Sequence, residues 1–188
     1  MSEQLPGWDD PELVALGQHF RDELRAEAEA YEELAARDHL RGRDLAAVAL
    51  ELLHRGDVVA AAVGARTFTG EVTYAAGDLL CLRTPSVDLD LALHGPVALH
   101  VVEQVRSGGR PRGPGPGSFK ARLAEHEHAG SELEVGCPAL GVDLRGRIVA
   151  VAPDHLVLDA DGRRWYLGLV AVAYTAVDRA AHTGGAAR

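Results

Sequence analysis

Few residues of this chain stand at spacings that do chemistry. His126 and His128, in FKARLAEHEHA, come nearest to a metal pair. That segment has helical character. Residues two apart on a helix point to opposite sides, so the two imidazoles cannot share a metal and are read as solvated. Asp88 and Asp90, in VDLDLAL, lie on one face of a β-type run, which suits either a bound cation or a solvated outer surface. Arg163 and Arg164 directly precede Trp165 and Tyr166, placing positive charge beside rings on which bases can stack. In a strand the two rings point to opposite faces, so at least one is expected in the core. Cys81 and Cys137 are the only cysteines and form no CxxC, which fits a reducing cytosol. GxSxG, HExxH and Walker patterns do not occur, and GPGPG at 113–117 lacks the strand–helix setting of a dinucleotide site. The expectation is a non-enzymatic protein with no cofactor and no metal.

The 188 residues carry a net charge of −9, unevenly spread. Residues 1–55 have six arginines against thirteen acids, whereas 106–130 have five basic residues against two acids. That positive stretch comprises Arg106, Arg110, Arg112, Lys120 and Arg122. An acidic body repels phosphate backbones, so nucleic-acid binding over the whole surface is excluded and only local contacts remain. No run of about 18 apolar residues occurs, and the acidic start MSEQLPGWDDPEL does not read as a signal peptide. A cytoplasmic location with no membrane partner is expected. One lysine, one isoleucine and no asparagine, against eighteen arginines, point to a GC-rich bacterial coding sequence.

The elements that must position these residues fall into five segments. Asp10-Pro11 is a helix-start signal, and Leu13, Leu16, Phe20, Leu24, Tyr31 and Leu34 then recur at helical steps to about Arg37. Asp44 caps a second helix with Leu45, Val48, Ala49, Leu52 and Leu53 on one face and Gly56 as its stop. Residues 1–55 are thus expected as a helical hairpin. Its stripe serves either as a partner-binding or dimerising arm or as a cover for an open side of the fold. Short β-type runs fill 56–105, SGGRPRGPGPGS at 107–118 marks a basic linker over 106–117, and Ser118 caps a short helix before a second β series to residue 177. Residues 178–188 read as a disordered tail. The β series echo each other: GEVTYAAGDLLCL at 70–82 is answered by GRIVAVAPDHLVL at 146–158, with Asp78 matching Asp154 and Leu80 and Leu82 matching Leu156 and Leu158. Two copies imply a pseudo-symmetric pair, since a propeller or solenoid needs more.

This order of a helix, five strands, a glycine inside a bent second strand and an aspartate opening the third resembles the Sm-like family, including LSm proteins and bacterial Hfq. RTFTGEVTYAAGDLLCL at 66–82 looks like the first Sm motif and LALHGPVAL at 91–99 like the second, while GRIVAVAPDHLVL and RRWYLGLVAVAY provide the C-terminal counterparts. The resemblance implies an α+β chain in which the N-terminal hairpin precedes two small five-stranded Sm-like β-barrels. The barrels pair within the chain through strand edges, and further oligomerisation is open. The RNA-facing positions it implies are Asp78, His94 and Gly95 in the first copy, and Asp154, His155 and Gly168 in the second. Arg163, Arg164, Arg110, Arg112 and Arg122 are the basic residues that would add phosphate contacts. Two functions follow: a regulatory RNA-binding protein, favoured by the fold, or a protein–protein adaptor that has lost RNA binding, with its partner on the hairpin. The acidic balance and the missing asparagine, which Sm proteins use to read a base, favour the second.

Gly/Pro-rich sequence has no apolar surface with which to offset ordering entropy. Limited trypsin digestion should therefore cut first near Arg110 or Arg112, at the Arg112–Gly113 bond, because Pro111 protects the bond after Arg110. First cleavage inside residues 1–55, with the Arg112–Gly113 bond intact, would move the boundary.

Overall fold

The computed structural model describes residues 11–105, 109, 111 and 113–179. Helix α1 spans Pro11–Arg41 and α2 spans Leu45–Arg55. Strands β1 to β5 follow at Val58–Val63, Arg66–Ala76, Leu79–Arg83, Val87–Ala92 and Val97–Glu103. Helix α3 is Phe119–Ala129, and β6 to β10 are Glu132–Cys137, Val142–Val151, His155–Ala160, Arg163–Gly168 and Tyr174–Asp178. Among the described residues no helix is long and apolar enough to cross a membrane.

The chain separates into two compact units, Met1–Arg43 and Asp44–Arg188. The expected helical hairpin is therefore not one element. Helix α2 packs on β2 and β3 in the second unit and buries Ala49, Leu52 and Leu53. The Asp44 side chain caps it by accepting from Ala47 N–H at 2.7 Å, and Gly56 ends it at φ 74°.

All ten strands belong to one antiparallel sheet, in the order β5-β1-β2-β3-β4-β10-β6-β7-β8-β9. This corrects the expectation of two closed five-stranded barrels. Closing each half would require β4 to meet β5 and β9 to meet β10. Instead β4 takes β10 as its neighbour, pairing Leu91 with Tyr174, Leu89 with Ala176 and Val87 with Asp178. The sheet is continuous and open, with β5 and β9 as its edges. Asp178 lies in β10, inside the segment read as tail, and the Arg179 N–H donates to the Ser86 carbonyl at 3.0 Å.

Two apolar clusters hold the sheet. One gathers α2 and the first strands with Tyr174 and Ala176 of β10. The other gathers Phe119 and Leu123 of α3 with β6–β8 and with Tyr74, Leu79, Cys81 and Ala92 from the first half. Leu80, Leu82, Leu156 and Leu158 are all fully buried, as the echoing motifs predict. The C-terminal end of the linker is packed rather than free: the Tyr74 hydroxyl donates to the Pro116 carbonyl at 2.9 Å, and Pro116 is buried. Residues 106–108, 110 and 112, with the trypsin sites, lie outside the described residues.

Gly70 and Gly146 sit in the long strands β2 and β7, each just before a register shift against the next strand. A Cβ on Gly146 would stand 2.0 Å from the Asp159 carbonyl oxygen, and one on Gly70 would stand 2.4 Å from that of Arg83. Both strands thus need glycine because a neighbouring backbone approaches there. Gly146→Ala should cost about 1–3 kcal/mol of stability. Gly168→Ala, where a Cβ meets nothing within 4 Å, should stay within about 0.5 kcal/mol of the parent. Urea midpoints of the two variants decide this.

Candidate functional site

The loop residues implied by the resemblance come together in two places. In the first half, Asp78 joins three elements. Its Oδ1 accepts the Phe119 N–H at 2.8 Å, its Oδ2 lies 3.1 Å from His94 Nδ1, and its carbonyl accepts the Leu93 N–H at 2.7 Å. Gly95 follows in the same turn, so Asp78, His94 and Gly95 share one site. In the second half, His155 Nδ1 lies 2.7 Å from Asp154 Oδ1, and the Asp154 carbonyl accepts the Leu169 N–H at 2.9 Å. His155 pairs with Gly168 across the β8–β9 ladder. The bond to His155 holds the exposed Asp154 carboxyl below its ordinary range, which keeps it anionic. Lys120 donates to the nearby Pro153 carbonyl at 3.1 Å.

Among the described residues, the arginines expected to serve these loops do not join them. Arg163 pairs with Ala160, at the far end of the ladder from His155 and Gly168. Five residues of strand separate the two ends, roughly 16 Å. Arg122 points into the joint between the halves, and Arg110 and Arg112 lie outside the described residues. Trp165 is 36% exposed and Tyr166 67%, so neither ring is core, contrary to the expectation from alternation. β9 is an edge strand, and no further strand covers its rings.

A cavity of about 380 Å³ lies elsewhere, where β3, β4, β10 and α3 meet. At its wall is Asp90, which is buried rather than solvated, unlike the exposed Asp88. His126 Nε2 lies 2.7 Å from Asp90 Oδ2, and Arg122 Nε lies 3.5 Å from Oδ1. Thr175 Oγ1 of β10 is 3.5 Å from the same carboxylate. Arg122 also donates to Glu125 Oε2 at 2.7 Å and approaches Cys81 Sγ at 3.7 Å. His126, read as solvated, is therefore half-buried and paired, whereas its neighbour His128 is exposed. Arg122 and His126 are four residues apart on α3 and so reach one carboxylate together. That i,i+4 spacing was the available sequence signal; the partner 36 positions away in β4 gave none.

Burial alone would raise the Asp90 carboxyl, but hydrogen bonds from His126 and Cys81 and the charge of Arg122 bring it below its ordinary value. Burial, with Asp90 alongside, pushes the Cys81 thiol far up, and burial raises Cys137 to about 11. Neither sulfur is a nucleophile at neutral pH. The charges in this cavity neutralise one another, and their contacts fasten α3 and β10 to β4. A second polar cluster spans the same joint. Tyr174 donates to Glu134 at 2.8 Å and lies 3.0 Å from Asp143, while Arg66 of β2 pairs with Glu134 and Asp143. Among the described residues no group of three or more His, Cys, Asp or Glu is arranged to hold a metal.

Because the folded protein holds Asp90 below the ordinary ~3.9 of an aspartate, its ionised form contributes stability above about pH 4. That contribution is lost as the pH falls through the lowered value. Asp90→Asn should therefore be destabilised at pH 7, and the gap between parent and variant should narrow below about pH 4. Asp90→Ala, which leaves His126 without its carboxylate partner and Arg122 with Glu125 alone, should cost about 3 kcal/mol at pH 7. Chemical denaturation across the pH range reads both.

The sequence matches no protein-family model and no curated protein.

Proposed function

We propose that this protein is a non-catalytic adaptor that receives a protein partner on its long N-terminal helix. One observation carries the reading. Leu16, Phe20, Leu24, Tyr31 and Leu34 of α1 are each more than half exposed, and no apolar side chain described in this 31-residue helix is buried. Helices in water draw most of their stability from packing an apolar face, and this face is left without that packing. Covering one such side chain contributes about 1.5–3 kcal/mol. The helix carries eight acids against four arginines, so the fitting partner is an apolar groove or helix with a basic rim.

A second reading has its own support. Arg163 and Arg164 are exposed beside two exposed rings, a combination suited to stacking single-stranded RNA. Against it, the loops that the Sm resemblance would assign to RNA carry the carboxylates of Asp78 and Asp154, with no arginine of the described residues among their contacts.

A photocrosslinker in place of Leu24 should capture one discrete protein in cells. Phe20→Asp combined with Leu34→Asp should weaken that complex by about 100-fold or more, since buried apolar anchors are worth ~2 kcal/mol each. The thermal midpoint of the sheet unit should not move. Crosslinks to nucleic acid alone would refute the adaptor. So would RNA affinity falling by roughly 0.7 log units per phosphate contact for each tenfold rise in salt.

A further inference from the structure

Helix α1 carries a repeat of its own. Leu24 and Tyr31 stand seven residues apart, as do Phe20, Glu27 and Leu34, and the two sets interleave at steps of three and four along one side. The four apolar members of this seam are each more than half exposed. Two further rows at seven-residue spacing flank it. Glu23, Ala30 and Arg37 run along one side, and Arg21, Ala28 and Ala35 along the other. Asp22, Glu29 and Glu33 line the opposite face, so those carboxylates lie away from the seam. Glu27 is the acid set in its middle.

We propose that the partner on α1 is α1 of a second copy, lying antiparallel, with the twofold axis level with residue 29. This rests on the reading of α1 as the partner-binding helix and names what binds it. The pairing is isologous, so each contact occurs twice. Leu24 packs against Leu34 of the second copy. Tyr31 packs against Glu27, where its hydroxyl donates to the embedded carboxylate. Along one flank Glu23 meets Arg37. At the centre Ala28 meets Ala28 and Ala30 meets Ala30, and these small side chains let the helices approach. Residues 17–41 overlap, roughly 37 Å of helix.

The charge pattern selects this occupant and this orientation. The stripe needs a partner with an apolar side and a basic rim, and Arg37 of the second copy supplies that rim where Glu23 needs it. A parallel pair would set Glu27 against Glu27 and part Glu23 from Arg37, and like charges across a seam cost affinity. Sliding one helix by seven residues puts Leu24 against Glu27 in one direction and Glu27 against Asp38 in the other. The central register instead gives the embedded acid a donor. Within its own helix Glu23 lies 3.4 Å from His19, and Arg37 lies 3.6 Å from Glu33. Those are exposed i,i+4 pairs, worth little in water, and both side chains remain able to reach across. At each end Phe20 lies beside Asp38, whose carboxylate has Arg41 at 3.4 Å on its own helix.

Sedimentation equilibrium on the full chain tests this. The mass should rise with concentration to twice that of the 19.9 kDa chain. Glu23→Arg should weaken the dimer roughly tenfold, as should Arg37→Glu, and the double reversal should recover most of the loss. Each reversal also removes an attraction within the helix, to His19 or to Glu33, so recovery can come only from the contact between copies. Leu24→Cys mixed with Leu34→Cys should form a disulfide between copies on mild oxidation. Leu24→Cys alone should not, since its two copies lie ten residues apart along the axis, roughly 15 Å. Cys81 and Cys137 are buried and do not compete. A disulfide from Leu24→Cys alone overturns the antiparallel order. A dimer that survives Phe20→Asp with Leu34→Asp overturns the proposal by placing the contact elsewhere. A monomer at all concentrations overturns it as well. The reading of α1 then stands if the Leu24 crosslinker captures a different protein, and falls with it if none is captured.

Discussion

The pairing of β4 with β10 is the contact on which the rest of this structure depends. Each half is a run of five strands whose first strand carries the fifth on its outer side. Left alone, each would expose two ladders of unpaired N–H and C=O groups, and curling shut would be one way to satisfy them. Because β10 occupies the outer side of β4, neither half closes. The consequence reaches the interior: Tyr174 and Ala176 complete the first apolar cluster, and Tyr74, Leu79 and Ala92 complete the second. Neither core is whole without residues from the other half.

Polar contacts set where that joint forms. Asp90, His126, Arg122 and Thr175 meet on one side of it, and Arg66, Glu134, Asp143 and Tyr174 near its other end. Buried ion pairs add little net stability over apolar packing, but breaking one is costly. A one-residue slip of β10 would turn its side chains to the opposite face, moving Tyr174 away from Glu134 and leaving Asp90 without Thr175. The apolar clusters supply the adhesion, and these groups make a single register the cheapest.

Much of the local structure was legible because its causes are local. Asp44, Ser118, Gly56 and Gly130 cap helices through bonds made within four residues, and Asp161-Gly162 turns the chain with both residues at positive φ. The repeated leucines at 80, 82, 156 and 158 alternate with a strand's period and are buried accordingly. What was not legible is what depends on distant partners. The stripe of α2 has the same pattern whether it faces another helix or a sheet. Alternation places Trp165 and Tyr166 on opposite faces but does not reveal that β9 lies at an edge, where neither face is fully covered. Asp90 reads as a surface acid in VDLDLAL because α3, which brings Arg122 and His126 over it, enters the chain only after the linker.

Native-state hydrogen exchange on the backbone amides of β4 and β10 tests the continuous sheet most directly. If the joint is as described, the amides that bond across it, such as those of Asp90 and Thr175, exchange only through the same global opening as the buried strands β3 and β8. All four strands then share one opening free energy. Rapid exchange along β4 and β10 with protection retained inside each half, or two distinct opening energies for the halves, would contradict it.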